Sequence, residues 1–228
     1  MENLNKKTII LLLVIALIFP AFSTFSETEP MVYLNETFNS YATNSALHGT
    51  MVRGAAQSKI VQYSDSLNRL SKALMLKGNE DGITAKFPLA PTASGDVFIE
   101  ICLKLDNIDG GDIVLADSAG QALYKLLVFD DECNACTYEG KRLGINPKTG
   151  MVNIGIYVNL SAKRIDFYKN EKIILSKWYS PFLNLLNVKT IMLNIFPIEG
   201  TEPIFYINSV KAYCSQKPQK LPVEPYNF

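Results

Sequence analysis

The stretch from Met151 to Trp178 constrains the fold most, because its apolar residues recur at every second position. A period of two residues is typical of a β-strand that buries one face. The first strand of this stretch is predicted to turn five apolar side chains inward, those of Val152, Ile154, Ile156, Val158 and Leu160.

Two further strands are predicted to follow in consecutive hairpins. Ile165 and Phe167 would supply the inward positions of one strand, and Ile174 those of the next, with a turn at residues 169–171 between them. Asn170 suits such a turn because Asn tolerates positive φ, whereas Glu171 stands where Gly would be expected.

The rest of the chain predicts more strands and no long helix. Val97 to Leu105 alternates strictly and should form a central strand, whereas Ile83 to Phe87 should end at Pro88, which lacks a ladder donor. Strands recur about every 8 to 12 residues, which indicates an all-β, antiparallel sandwich of two sheets.

Composition is that of an ordinary globular protein, long enough for one large β domain or two small ones: 48% of the 228 residues are hydrophobic and 19% are charged. The charges of the 22 basic and 22 acidic residues cancel, and beyond Lys6 and Lys7 no run of basic residues concentrates positive charge. Nucleic acid is therefore not expected as a partner.

The N-terminus predicts a signal peptide over residues 1–23, with Lys6 and Lys7 ahead of the apolar run Ile9 to Phe19 and a small-x-small site at residues 21–23. An uncleaved anchor is the alternative. The mature chain would contain no transmembrane segment, so we expect a secreted or cell-surface protein. The sandwich domain would span residues 24–214, followed by a proline-rich tail or linker at 215–228.

Four cysteines in an exported chain allow three disulfide pairings. We favour Cys133 with Cys136 inside a loop and Cys102 with Cys214 between strands. Zinc is the alternative, although a second close pair of ligands is missing and the single histidine, His48, lies far upstream.

Five segments carry a family resemblance, in chain order NETFNSYATNS, SKALMLKGNEDGITAKF, VFIEICLKL, RIDFYKNEKII and FYINSVKAY. Together they resemble the concanavalin A-like, laminin G-like jelly rolls of bacterial exported proteins. The resemblance implies two stacked, curved sheets and a role as a carbohydrate-recognition module. Two positions depart from that pattern: the usual turn Gly is Glu171, and the usual Asp of the closing strand is Asn208.

Glycosidases of that superfamily use a Glu-x-Asp-x-x-Glu strand, and this chain has Cys102 and Leu105 where the second and third carboxylates would stand. Catalysis of that type is excluded. A lyase or hydrolase of another type stays open as a third function, because the chain contains eleven tyrosines.

An acidic turn offers oxygen ligands at Asp106, Asp109 and Asp112, with two glycines that let the backbone curl. Calcium prefers such ligands, so it is the cofactor that this turn could hold. The simpler interpretation is a solvated turn between two strands.

Trp178 and Tyr179 could form an aromatic platform for a sugar ring, with Arg164 and Asn184 adding hydrogen bonds. The alternative for Trp178 is a place in the core. We therefore predict a non-catalytic, lectin-like domain that binds a polysaccharide or cell-surface glycan. The second hypothesis is a structural or adhesion domain whose sheet meets a surface protein, which exposed aliphatic residues or an unpaired edge strand would favour.

Overall fold

A computed structural model describes residues 31–45, 52–64, 70–78, 81–93, 96–117, 119–159, 162–180 and 188–214. The predicted signal peptide, the tail after residue 214, His48, Leu160 and Asn184 lie outside the described residues. Fourteen strands and one short 3-10 helix, Phe38–Ser40, make up the described part. The strands are β1 Val32–Thr37, β2 Val52–Arg53, β3 Ala55–Ser64, β4 Leu70–Gly78, β5 Ile83–Ala93, β6 Val97–Asp106, β7 Ile108–Ala116, β8 Ala122–Phe129, β9 Ala135–Cys136, β10 Val152–Asn159, β11 Arg164–Lys169, β12 Lys172–Tyr179, β13 Val188–Pro197 and β14 Ile204–Cys214.

All strand pairs are antiparallel, and the strands form two sheets. The eight-stranded sheet has the order β12-β11-β10-β6-β14-β4-β3, with β1 also on β14, and the six-stranded sheet has the order β2-β5-β13-β7-β8-β9. One hydrophobic core draws on both sheets, so the predicted two-sheet sandwich of jelly-roll type is confirmed. No helix among the described residues is long and apolar enough to cross a membrane.

The alternating stretches form the centre of the eight-stranded sheet, as predicted. β6 and β10 lie side by side with Val97 opposite Val158 and Ile101 opposite Ile154. The inward side chains of both strands are fully or almost fully buried. Alternation therefore predicted which face is inside, because only period-two residues share a face of a strand.

Ile174 is an exception, because the structure places it outside the core with 38% of its surface exposed. Phe167 lies opposite Leu175 and Tyr168 lies opposite Ile173, which leaves Ile174 as an extra, unpaired residue. A bulge of this kind shifts the inward position by one residue, so Leu175 packs against the core instead.

The prediction that Pro88 ends its strand was also wrong, because β5 runs through it to Ala93. β2 pairs with β5 only at Thr84 and Ala85, so no described strand flanks that side of β5 at Pro88. A proline is tolerated on an open strand edge, where its missing N–H costs no ladder hydrogen bond.

The turn between β11 and β12 consists of the two predicted residues, Asn170 with φ 48° and Glu171 with φ 68°. The left-handed region costs an L-residue other than Gly or Asn about 1 kcal/mol. We expect Glu171→Gly to raise the free energy of unfolding by about that amount, measured by urea denaturation. The control is Glu199→Gly in another exposed turn, where φ is not positive; that change should destabilise by a similar amount through added backbone entropy. A neutral or destabilising Glu171→Gly would contradict the strain argument.

The cysteine pairings predicted from the sequence are not formed, because all four thiols are free. Cys214 lies opposite Val97, five residues along β6 from Cys102. That offset separates the two cysteines by roughly 16 Å, whereas a disulfide needs Cα atoms within about 7 Å. Cys133 and Cys136 remain thiols as well, and burial raises the pKa of both. Burial, with Glu100 nearby, raises the pKa of Cys102 to about 12.

The closing strand β14 contains a bulge at Asn208, between Ile207 opposite Leu103 and Ser209 opposite Cys102. The Asn208 side chain is buried, and its Nδ2 donates to Ser71 Oγ at 3.1 Å and to the carbonyl oxygen of Lys72 at 2.8 Å. The residue that replaces the usual Asp is thus a donor that fastens β14 to β4.

Candidate functional site

A second bulge in β12, at Lys177, determines where Trp178 points. Ile165 lies opposite Trp178 and Phe167 opposite Leu175, so two residues of β12 face the single residue Asp166. Lys177 has φ 54°, and its backbone N–H donates to the Asp166 carboxylate. The bulge returns Trp178 to the inner side of the sheet, where it packs partly buried against the core.

Glu139 connects Trp178 to the other sheet. It lies in a tight turn after β9, in which the Gly140 N–H donates to the carbonyl oxygen of Thr137. Trp178 Nε1 donates to Glu139 Oε2 at 2.8 Å, and Ser180 Oγ donates to Oε1 at 2.7 Å. Tyr124 OH, from β8, donates to the same Oε1 at 3.3 Å. One carboxylate therefore ties the β12 edge of one sheet to the β8–β9 edge of the other.

These hydrogen bonds also fix the ionisation of the cluster. Burial raises the pKa of the Glu139 carboxyl, but hydrogen bonds from Ser180, Trp178, the backbone of Glu139 itself and Tyr124 outweigh it and hold the pKa below its ordinary value. Burial and the neighbouring carboxylate of Glu139 raise the pKa of Tyr124 to about 12. At neutral pH Glu139 is thus an anion, and Tyr124 is a hydrogen-bond donor.

Two exposed tyrosines flank this cluster in the chain, because Tyr138 precedes Glu139 and Tyr179 follows Trp178. Tyr138 is 48% exposed and Tyr179 is 58% exposed. The Tyr138 ring meets Tyr124 edge-on at 6.1 Å between centroids, and Tyr179 lies directly opposite Arg164 on β11. We call Tyr138, Glu139, Arg164, Trp178 and Tyr179 the rim site.

Three of the residues predicted from the sequence lie together in the rim site, namely Arg164, Trp178 and Tyr179. Their arrangement differs from a flat platform, because Trp178 shares the inner face with Ile165 whereas Tyr179 shares the outer face with Arg164. Of the predicted residues, Tyr179 and Arg164 therefore offer the exposed surface, and Trp178 anchors it. Asn184 lies outside the described residues.

The acidic turn predicted for calcium is not a loop. Strand β7 begins at Ile108, right after the single connecting residue Asn107, which has φ 53°. Asp109 and Asp112 therefore spread along a strand, and they do not converge with Asp106. Within the described ranges no three carboxylate, thiol or imidazole groups gather into a metal site.

Asp112 has a different role, because it is only 3% exposed and both of its carboxylate oxygens have a partner. Asn194 Nδ2 donates to its Oδ1 at 2.7 Å, and Lys125 Nζ lies 2.8 Å from its Oδ2. Thr84 Oγ1 in turn donates to Asn194 Oδ1 at 2.8 Å. These polar contacts connect β5, β13, β7 and β8 across the outer face of the six-stranded sheet.

The comparisons with known proteins give a fold and no family. No protein-family model matches the chain, and no curated protein matches its sequence. A sialidase structure superposes with a TM-score of 0.56 at 11% identity, over 81% of this chain and 19% of that one. A carbohydrate esterase from the Shiga toxin-encoding bacteriophage phi24B superposes with a TM-score of 0.53 at 10% identity, over 82% of this chain and 99% of the esterase chain. Cellulose induced protein Cip1 superposes with a TM-score of 0.50 at 11% identity, over 80% of this chain and 97% of the Cip1 chain.

Proposed function

We propose that this protein is a non-catalytic, lectin-like domain that binds a glycan at the rim site. The observation that carries the proposal is the ionised Glu139 carboxylate, which three donors hold in place at the edge of the sandwich. The exposed Tyr138 precedes it in the chain, and the exposed Tyr179 follows its partner Trp178. Sugars present apolar C–H faces and hydroxyl groups, so their binding sites combine aromatic rings with a few fixed polar groups.

Each part of the rim site has a role in this proposal. The rings of Tyr138 and Tyr179 would stack on sugar faces. A carboxylate has about four acceptor positions, and three donors occupy Glu139, which leaves Oε2 able to accept from a sugar hydroxyl. Because the anchoring bonds exist before the ligand arrives, little ordering entropy would be lost on binding.

One further consideration supports binding over catalysis, and another supports a carbohydrate ligand. A carboxyl whose pKa is lowered is ionised at neutral pH and is a poor general acid. Proteins named as a sialidase, a carbohydrate esterase and a cellulose-induced protein share the fold, although fold alone does not establish function. Export, predicted from the N-terminus, would bring the domain into contact with extracellular glycans.

The proposal predicts that Tyr179→Ala weakens glycan binding at least tenfold and leaves the melting temperature within about 2 °C of wild type. The protein would be screened on a panel of soluble and insoluble polysaccharides, and affinity for the retained one would be measured by titration of Trp178 fluorescence. Phe196→Ala is the matched control, because Phe196 is an exposed aromatic on the other sheet. Retention on no polysaccharide, or equal losses for both variants, would refute glycan binding at the rim.

A second candidate function is contact with another protein through the β12 edge. Ile173 and Ile174 are exposed there, and β12 ends the eight-stranded sheet. The flanking Lys172 and Lys177 and the two bulges are features that protect strand edges from pairing. If the polysaccharide panel retains nothing, this edge is the surface to test next, by Ile173→Lys.

A further inference from the structure

Three basic residues lie close to Tyr179 along the backbone of this corner. Arg164 lies directly opposite Tyr179, and the carbonyl oxygen of Lys163 accepts the N–H of Ser180 at 3.1 Å. Lys177 precedes Trp178 in the same strand. Among the residues that the structure describes, none of the three basic side chains forms a salt bridge. Positive charge therefore collects at this corner, where none of the three cations is held in a salt bridge.

The backbone of this corner is strained at both lysines. Lys163 has φ 52° and Lys177 has φ 54°, a conformation that costs a lysine about 1 kcal/mol or more. Asn44, Asn107 and Asn170 also have positive φ, which asparagine tolerates well, and Cys133 and Glu171 share this conformation elsewhere in the fold. Strain that the fold retains concentrates at functional sites, and bulges often re-aim a side chain there.

The Asp166 carboxylate at this corner offsets only part of the positive charge. Asp166 lies between Arg164 and the bulge, where its Oδ1 accepts the backbone N–H of Lys177. Glu139 belongs to the inner side with Trp178, and three hydrogen bonds already engage its charge. The corner around Tyr179 thus carries an arginine and two lysines against the single carboxylate of Asp166.

We infer that the glycan bound at the rim site is acidic, with a carboxylate or sulfate group that binds Arg164 while its sugar ring stacks on Tyr179. This inference rests on the proposed function and adds the ligand class to it. Arginine suits the role because its planar guanidinium donates two parallel hydrogen bonds to a carboxylate or sulfate. Lys163 and Lys177 add attraction that does not depend on orientation.

The test uses matched polysaccharides that differ only in charge: polygalacturonate with its methyl ester, and dextran sulfate with dextran. Affinity is measured by gel retardation at low and at physiological ionic strength. We expect at least one acidic form to bind tenfold or more tightly than its neutral partner, with an affinity that falls as salt rises. Arg164→Gln should remove most of that preference, and Arg164→Lys should restore only part of it.

The control is Lys172→Gln, which removes one positive charge from the opposite end of the same exposed strand. It should leave the preference for the acidic form within twofold of wild type. Equal losses for Lys172→Gln and Arg164→Gln would mean general attraction to polyanions and would overturn the inference. Equal binding of acidic and neutral forms would overturn it too, while leaving the proposed function intact. Binding of no polysaccharide would overturn both.

Discussion

Replacing Asn208 with aspartate is expected to lower the free energy of unfolding by about 3 kcal/mol at neutral pH. Asn208 is 7% exposed, and its Nδ2 donates to Ser71 Oγ and to the carbonyl oxygen of Lys72. A carboxylate cannot donate, so it would face that carbonyl oxygen with a buried negative charge. Urea denaturation would measure the loss as a lower midpoint at an unchanged slope.

The matched control for this change is Asn170→Asp. Asn170 is in the exposed turn, and its Oδ1 accepts the backbone N–H of Asn153, which a carboxylate can also do. That variant should stay within about 0.5 kcal/mol of wild type.

The loss at Asn208→Asp should also depend on pH. Burial raises the pKa of a carboxyl, so the folded variant would bind a proton more readily than the unfolded chain. The difference in unfolding free energy between wild type and Asn208→Asp should therefore become smaller as the pH falls. A pH-independent loss, or a loss below 1 kcal/mol, would show that the two donor bonds do not fasten β14 to β4.

The fold was predictable where alternation was long and regular. The inward residues Val152, Ile154, Ile165 and Phe167 were assigned correctly because the period of two fixes a face without any knowledge of the partner strand. Ile174 was not, because a bulge adds one residue and reverses every later position. Whether a strand bulges depends on its neighbour, and no local pattern in β12 records this.

The candidate site was predictable only within one hairpin. Arg164 and Tyr179 both belong to the predicted β11–β12 hairpin, but the turn at residue 170 alone would place Arg164 opposite Lys177. The two bulges in β12 shift the pairing by two residues and bring Tyr179 opposite Arg164. Glu139 was missed because it reaches Trp178 from the other sheet, 39 residues away in sequence. The predicted Cys102–Cys214 disulfide was wrong for a related reason. Whether two cysteines on neighbouring strands lie opposite each other depends on the register between β6 and β14, which the sequence does not show.

Removing the Glu139 carboxylate by Glu139→Ala is expected to cost about 2 kcal/mol of unfolding free energy, since three hydrogen bonds worth about 1 kcal/mol each are lost in a partly exposed setting. Trp178 fluorescence should shift to longer wavelength, because its indole N–H would then bond to water. Glu199→Ala, at an exposed turn, is the control and should change neither quantity.

The pH dependence of this effect distinguishes a carboxylate anchor from simple packing of the indole. Hydrogen bonds hold the pKa of Glu139 below its ordinary value of 4.5, so the folded state releases its proton more readily than the unfolded chain does. The stabilisation is therefore fully present above pH 4.5 and is lost as the pH falls through the lower pKa of the folded state. Wild type and Glu139→Ala should converge in stability, and in Trp178 emission, as the pH is lowered through that range. If the difference in stability between wild type and Glu139→Ala stays constant with pH, Trp178 is held by packing alone. The hypothesis of a fixed anion at the centre of the rim site would then have to be abandoned.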